Sequence, residues 1–477
     1  MLFSGVRSEL LGQLQQAVRS ESGMSTTTFL SLVDRWQQAV YTKLLRSYRD
    51  DGYCQLLALK ASNLMVRRYE HERRRQVLVS RPYHLFVDPA NACQLACPGC
   101  VHTESPARKS FDWPRNTLKV DQYEAFLSDL GAFASIGLLY NYGEPLLSPH
   151  FATFVRLAKS YLMYTMTSTN LSLPIDADAI VGSGLDWLLI SVDGTTQDVY
   201  ERYRRRGKLE LVLNNMRELV AAKKRAGSTT PYLCWQFLTF EHNQHQAEEA
   251  IQLARSLGVD CLSVVTPFEV TWDDPTIKAV RSAIRGSHDF QPYRPHRVTP
   301  NEWSAGDTTA RVVPQVSAAF RTSWVERFEQ LGIADEPEHG NGYTCPYLYD
   351  TITLDGAGRV MPCCMAPSEY ARGLIFDRVA VGRPKSDLVN SRMAVLARTA
   401  FADRARYESQ REGLGPDDVP FCESCTVGPA APYHLESVRR NLRALDPEQI
   451  ISEDYLDCFT ARDPGAAAYW AHNDAAV

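Results

Sequence analysis

Cys93, Cys97 and Cys100 stand in C-x3-C-x2-C spacing inside VDPANACQLACPGCV (87–101), directly after an apolar run at 83–87. Thiolates this close can hold a metal centre. A closed structural zinc or cluster takes four protein ligands, whereas a reactive centre leaves one position open for a reactant. Three ligands at this spacing therefore point toward chemistry more than scaffolding. The residues alone leave two other readings open: three ordinary buried cysteines, or a zinc site with a distant fourth ligand.

The chain has 477 residues, 44% of them hydrophobic, enough for one large core or two to three ordinary ones. Its formal net charge of -5 gives no pull toward nucleic acid or an anionic membrane. No apolar run approaches membrane-spanning length, and the first residues, MLFSGVRSELLGQLQQAV, carry charges and glutamines where a signal peptide would be apolar. A cytoplasmic location is expected, with no nucleic-acid or membrane partner. In that compartment the 12 cysteines argue for ligation where they group. They group twice: Cys93, Cys97 and Cys100, then Cys345, Cys363, Cys364, Cys422 and Cys425. Cys54, Cys234, Cys261 and Cys458 are scattered and read as small buried apolar residues.

Residues 1–80 show helical periodicity and form an N-terminal helical extension. It ends in RRYEHERRR (67–75), read as the solvated face of a helix or, alternatively, a dock for an acidic electron carrier. Across 81–268, apolar strands at 83–88, 136–141, 164–169, 187–193, 232–239 and 261–267 alternate with amphipathic helical stretches, the pattern of βαβ units. Six units fall short of a closed eight-fold barrel, so the expected fold class is α/β, an open partial (β/α)6 TIM-type barrel. In such sheets the reactive face lies at the C-terminal strand ends, where the cysteine loop falls. Residues 269–343 lose periodicity and read as a linker or lid with one helix near 317–331. A second cysteine module follows at 344–430 and a tail at 431–477.

The later strand ends carry Asn141-Tyr142-Gly143-Glu144-Pro145, Ser168-Thr169-Asn170 and Ser191-Val192-Asp193-Gly194, the last followed by Tyr200-Glu201-Arg202-Tyr203-Arg204. With the three cysteines these segments resemble the radical S-adenosylmethionine (radical SAM) superfamily. The resemblance implies a [4Fe-4S] cluster on Cys93, Cys97 and Cys100 with SAM on its fourth iron. It further implies SAM contacts from Tyr142, Gly143, Glu144, Asn170, Ser191 and Arg204. Two departures stand out: Tyr142 replaces the first glycine of a GGEP pattern, and Gly99 replaces the aromatic residue usual before the third cysteine, a role left to Val101 or His102. Arg202, Arg205 and Arg206 compete with Arg204 for its assignment.

The second module, Cys345, Gly358-Arg359-Val360-Met361-Pro362-Cys363 and Cys422-Glu423-Ser424-Cys425, resembles the twitch half of a SPASM domain. That resemblance implies a second [4Fe-4S] cluster on Cys345, Cys363, Cys422 and Cys425, with Cys364 and Cys458 left over; a four-cysteine zinc site stays open. The layout as a whole resembles radical SAM enzymes of aminoglycoside biosynthesis. It implies that a 5′-deoxyadenosyl radical takes hydrogen from a carbinol carbon of an aminoglycoside-type sugar, leading to 1,2-diol dehydration. Dehydrogenation, epimerisation and peptide modification are the enzymatic alternatives, and a non-catalytic iron-sulfur or zinc scaffold or electron-transfer subunit is the alternative of another class. Implied partners are the sugar, a reductant such as flavodoxin or ferredoxin, and an NADPH-dependent reductase acting on the product. Glu144, Asp193 and Tyr203 are the acid–base candidates.

Overall fold

The computed structural model describes residues 10–19, 24–100, 102–103, 115–267, 274–293, 298–334, 345–364, 373–381 and 387–423. Six parallel strands form at the expected places: β1 (His84–Val87), β2 (Ile136–Leu138), β3 (Tyr164–Thr169), β4 (Trp187–Ser191), β5 (Tyr232–Leu238) and β6 (Cys261–Val265). Each pairs with the next in chain order, the arrangement of an open partial barrel.

Strand alternation sorts side chains onto two faces. Leu188, Ile190, Leu233, Trp235, Phe237, Leu262 and Val264 are buried in the large core that the helices share. Helix Leu209–Ala226 supplies Leu209, Val212, Met216 and Leu219 to it, a three-and-four stripe, and stops at Gly227, whose φ of 59° suits a residue without Cβ. The opposite, concave face carries Ser168, Leu189, Ser191, Gln236 and Ser263. The registers set Ser168 level with Leu189 and, two residues further along β4, Ser191 level with Gln236 and Ser263.

The sheet does not stop at six strands. β7 (Gly286–Asp289) pairs antiparallel with β6, and β8 (Thr351–Leu354) pairs parallel with β1. β9 (Arg359–Met361) and β10 (Asp377–Arg378) follow antiparallel, making ten strands in one sheet among the described residues. The hairpin that opens the second cysteine module is thus continuous with the barrel sheet. It joins at β1, the strand that delivers the first cysteine motif.

Helices Leu10–Arg19, Thr26–Tyr48 and Asp51–Glu72 build the N-terminal extension. Two expectations for neighbouring segments need correction. The single helix near 317–331 is two helices, Thr309–Arg321 and Trp324–Gln330, because the Ser323 hydroxyl caps the second by accepting from Glu326 N–H, while Asp34 takes the Trp324 N–H. These helices, with Pro300–Ser304, lie on the N-terminal extension; Trp324 Nε1 donates to Gln37, and the Trp303 ring meets Tyr53 edge-on. The basic run at 67–75 is not a solvated face either. Arg67 forms a buried ion pair with Asp350, and Arg75 donates to Thr26 and lies over the Phe328 ring. The linker helices and the segment before β8 cover it.

Among the described residues no helix is long and apolar enough to cross a membrane. Val101, Cys425 and Cys458 lie outside the described residues.

Candidate active site

The cysteine loop leaves β1 and is fastened on three sides. Asp88 N–H donates to the Leu354 carbonyl of β8, Glu144 N–H to the Ala92 carbonyl, and Ala96 N–H to the Arg205 carbonyl. Asn91, fully buried, donates to Asp355 and accepts from the Gly356 N–H of the β8–β9 turn. Gly99 has φ of 71°, a left-handed conformation that strains any side chain bearing a Cβ. This explains a glycine where an aromatic residue is usual. Of the residues considered for that aromatic role, His102 meets the Tyr142 carbonyl through Nε2 at 2.7 Å.

The three thiols sit in one apolar cluster formed by Leu95, Tyr203, Leu238, Phe240 and Ile277. Burial pushes the Cys93 thiol up to about 12 and the Cys97 thiol to about 11, and it raises Cys100 as well. Asn170 Nδ2 lies 3.6 Å from the Cys93 sulfur, and Arg204 hydrogen-bonds Cys97. N–H groups aimed at sulfur stabilise ligating thiolates. Among the described residues, no three Cys, His, Asp or Glu side chains converge on a single metal ion. In a four-iron cluster each cysteine would hold its own iron, and thiols facing the Asn170 and Arg204 N–H groups fit that donor set.

The expected SAM-side residues gather at the adjoining strand ends. Gly143 is pressed against the cysteine loop: a Cβ there would fall 1.5 Å from the Ala90 carbonyl oxygen. Its N–H donates to Asp88 Oδ1 at 3.2 Å. Glu144 is buried and takes three protein donors: Thr169 Oγ1 at 2.6 Å, Asn170 N–H at 2.8 Å and Leu146 N–H at 3.1 Å. Burial raises its pKa, and these bonds oppose the rise. Asp193, also buried, receives Arg204 Nε on Oδ2 and Leu238 N–H on Oδ1. Both carboxylates, chosen from sequence as acid–base candidates, are thereby occupied in holding the strand ends together. Tyr203 packs on Phe240, with the Arg204 guanidinium over its ring, and forms part of the apolar wall around the thiols. Ser191 ends β4 level with Gln236.

The arginine cluster resolves itself. Arg202 and Arg206 are exposed, Arg205 pairs with Asp274, and Arg204 reaches the buried Asp193 and Cys97. Residues 87–241 match the model of the radical SAM superfamily. This stretch is a radical SAM domain.

Two curated relatives match parts of the chain. PqqA peptide cyclase of Ruegeria pomeroyi is 25% identical over 191 residues, 40% of this chain and 48% of that protein. GTP 3',8-cyclase of Chlorobaculum tepidum is 26% identical over 134 residues, 28% of this chain and 39% of that protein. The chain thus spans about half or less of the relatives' length. The solved structure of native anSMEcpe with bound AdoMet is 12% identical, covering 66% of this chain and 82% of that one at a TM-score of 0.39. Tyr142, Gly143, Glu144, Asn170, Ser191 and Arg204 all lie within the matched residues 87–241.

In the second set, Cys345, Cys363 and Cys364 all lie close enough to Tyr347 to oppose ionisation of its phenol, which burial already disfavours. Cys363 packs with Phe421, beside Cys422, and Phe421 N–H donates to the Gly373 carbonyl. Cys364, left over in the sequence reading, stands with this group. Asp88 and Asn91 were not singled out from sequence, although both are fully buried and fix the loop. Their only sequence signal is polar residues immediately before the motif.

Proposed function

We propose that the protein is a radical SAM enzyme that takes hydrogen from a carbinol carbon of an amino sugar and so brings about 1,2-diol dehydration. When bound, the cluster on Cys93, Cys97 and Cys100 and SAM supply a one-electron cleavage and a hydrogen-abstracting carbon centre. The chain's own residues hold and shield that chemistry. Asn170 and Arg204 direct N–H groups at the sulfurs, Leu95, Tyr203 and Phe240 exclude water, and Glu144 and Asp193 hold the strand ends in place. Gly143, Ser191 and the backbone at 142–144 are the proposed SAM contacts, and the Cys345, Cys363, Cys422 and Cys425 set the proposed second cluster.

The substrate class rests on the concave wall. Its C-terminal positions, Ser168, Gln236 and Ser263, are neutral, half-buried and without a side-chain hydrogen-bond partner among the described residues. The inward positions of β1 to β6 hold no Lys, Arg, Asp or Glu, so nothing on them pairs with a phosphate. Neutral hydroxyl and amide groups on this wall suit a polyol. The match to PqqA peptide cyclase favours a second reading, modification of a peptide.

The test is anaerobic incubation of the reconstituted protein with reductant, SAM and either amino sugars or peptides, followed by mass measurement. Loss of water from an amino sugar is expected. Loss of two hydrogens points to dehydrogenation, and a mass change only in peptides overturns the sugar reading.

A further inference from the structure

One side chain spans the two cysteine sets. Tyr142 opens the turn after β2, where the family pattern has glycine. Its hydroxyl donates to the Cys364 carbonyl at 2.7 Å, and its own carbonyl meets His102 Nε2 at 2.7 Å, two residues beyond Cys100. A glycine at 142 would have nothing to reach Cys364 with. The next two residues are clamped to the cysteine loop, Gly143 by its contact with Ala90 and its bond to Asp88, Glu144 by its N–H on the Ala92 carbonyl. The turn that faces the proposed SAM site is therefore fastened to the first cysteine loop on one side and to the Cys363–Cys364 backbone on the other.

We propose that Tyr142 is a positioning residue that couples the two sites: metal ligation at Cys363 fixes the Cys364 carbonyl, and through Tyr142 this tightens the turn at 142–144 on SAM. The inference rests on the radical SAM reading of the first site and on the second metal site proposed at Cys345, Cys363, Cys422 and Cys425. Ligation anchors the backbone beside Cys364, so the Tyr142 hydroxyl meets an acceptor already held in place. Coupling of this kind is reciprocal, so SAM also slows metal loss from the second set. One hydrogen bond to a held acceptor corresponds to about fivefold in affinity.

The test compares SAM affinity in four anaerobically reconstituted proteins: the native chain, Tyr142→Phe, Cys363→Ser and the double variant. Each single change is expected to weaken SAM binding about fivefold, and the double variant to bind no worse than either. Unchanged affinity in Tyr142→Phe overturns the coupling, as does a double loss equal to the product of the singles. A native chain that takes up iron but binds no SAM removes the underlying reading instead, and the coupling with it. Iron release to a chelator gives a second readout: SAM should slow the loss of the second set's iron in the native chain and not in Tyr142→Phe. If Tyr142→Phe fails to load iron, amide exchange on the iron-free chains decides. Faster exchange confined to 142–144 and 363–364 supports the coupling, and unchanged exchange there overturns it.

Discussion

Arg204 donates through Nε to Oδ2 of Asp193 at 2.6 Å, and Asp193 is wholly shut away from solvent. Removing one partner of such a pair leaves the other charge uncompensated, which costs about 3–5 kcal/mol. Asp193→Ala should lose stability on that scale in urea unfolding of the iron-free chain. Arg202→Ala, two residues from Arg204 and exposed, should stay within about 0.5 kcal/mol of the native chain.

Asp88 gives the site a pH signature. Burial, helped by the nearby Asp355, pushes its pKa up to about 7 from an ordinary 3.8. The folded chain therefore keeps a proton that the unfolded chain has already released, so the stability this group contributes is complete below about pH 4 and fades as pH rises to about 7. Asp88→Asn keeps a polar group opposite Gly143 N–H without the charge. Its stability relative to the native chain should climb across that window by up to about 1.4 kcal/mol per pH unit, then level off. Urea titrations at several pH values check this; parallel curves would refute it.

Cluster loading should be strongly pH-dependent. The Cys93 and Cys97 thiols, pushed up to about 12 and about 11, are protonated in the iron-free chain, and ligation must displace those protons. Iron uptake from iron and sulfide should rise steeply from about pH 6.5 to 8.5. Cys93→Ser, Cys97→Ser and Cys100→Ser should each deplete iron and abolish SAM cleavage, as measured by iron per chain and 5′-deoxyadenosine yield.

Gln236 tests the concave wall separately from cofactor binding. Gln236→Leu removes a hydrogen-bonding group of similar length, and loss of one such contact to a neutral substrate costs about 1 kcal/mol. An increase of about fivefold in KM is expected, with SAM affinity unchanged. A loss of SAM affinity instead would place Gln236 on the cofactor.

Gly143 is required by close approach. Gly143→Ala drives a Cβ into backbone at Ala90 and should cost about 3 kcal/mol, with lower iron uptake. Gly182→Ala, at the end of a helix with nothing within 4 Å, should be neutral or stabilising by up to about 1 kcal/mol in thermal unfolding.

The six barrel strands were legible because their signal is local: apolar runs such as WLLIS and YLCWQFL lie between amphipathic helical stretches, and parallel pairing of consecutive units follows from right-handed crossovers. β7 was not legible, since GSHD is polar and short and forms only because β6 offers an unpaired edge. The burial of Arg67 had no local signal either, because its partner Asp350 comes from a distant part of the chain, just before β8. Among the candidate residues, spacing picked out the three thiols and favoured Arg204, with Arg202, Arg205 and Arg206 close enough to compete. Contact with Asp193 and Cys97 separates Arg204 from the others.

The sequence by itself determined the periodic elements, the three-cysteine loop after β1 and the order of polar segments at the strand ends. Each of these is written in residues close together in the chain. Tertiary structure alone decided that β8 lies beside β1, that Tyr142 reaches Cys364, that Glu144 and Asp193 are occupied by protein donors, and that Asp88 is buried deeply enough to keep its proton near neutral pH. Pairing, donor geometry and desolvation depend on groups brought together from distant parts of the chain, and no local spacing records them.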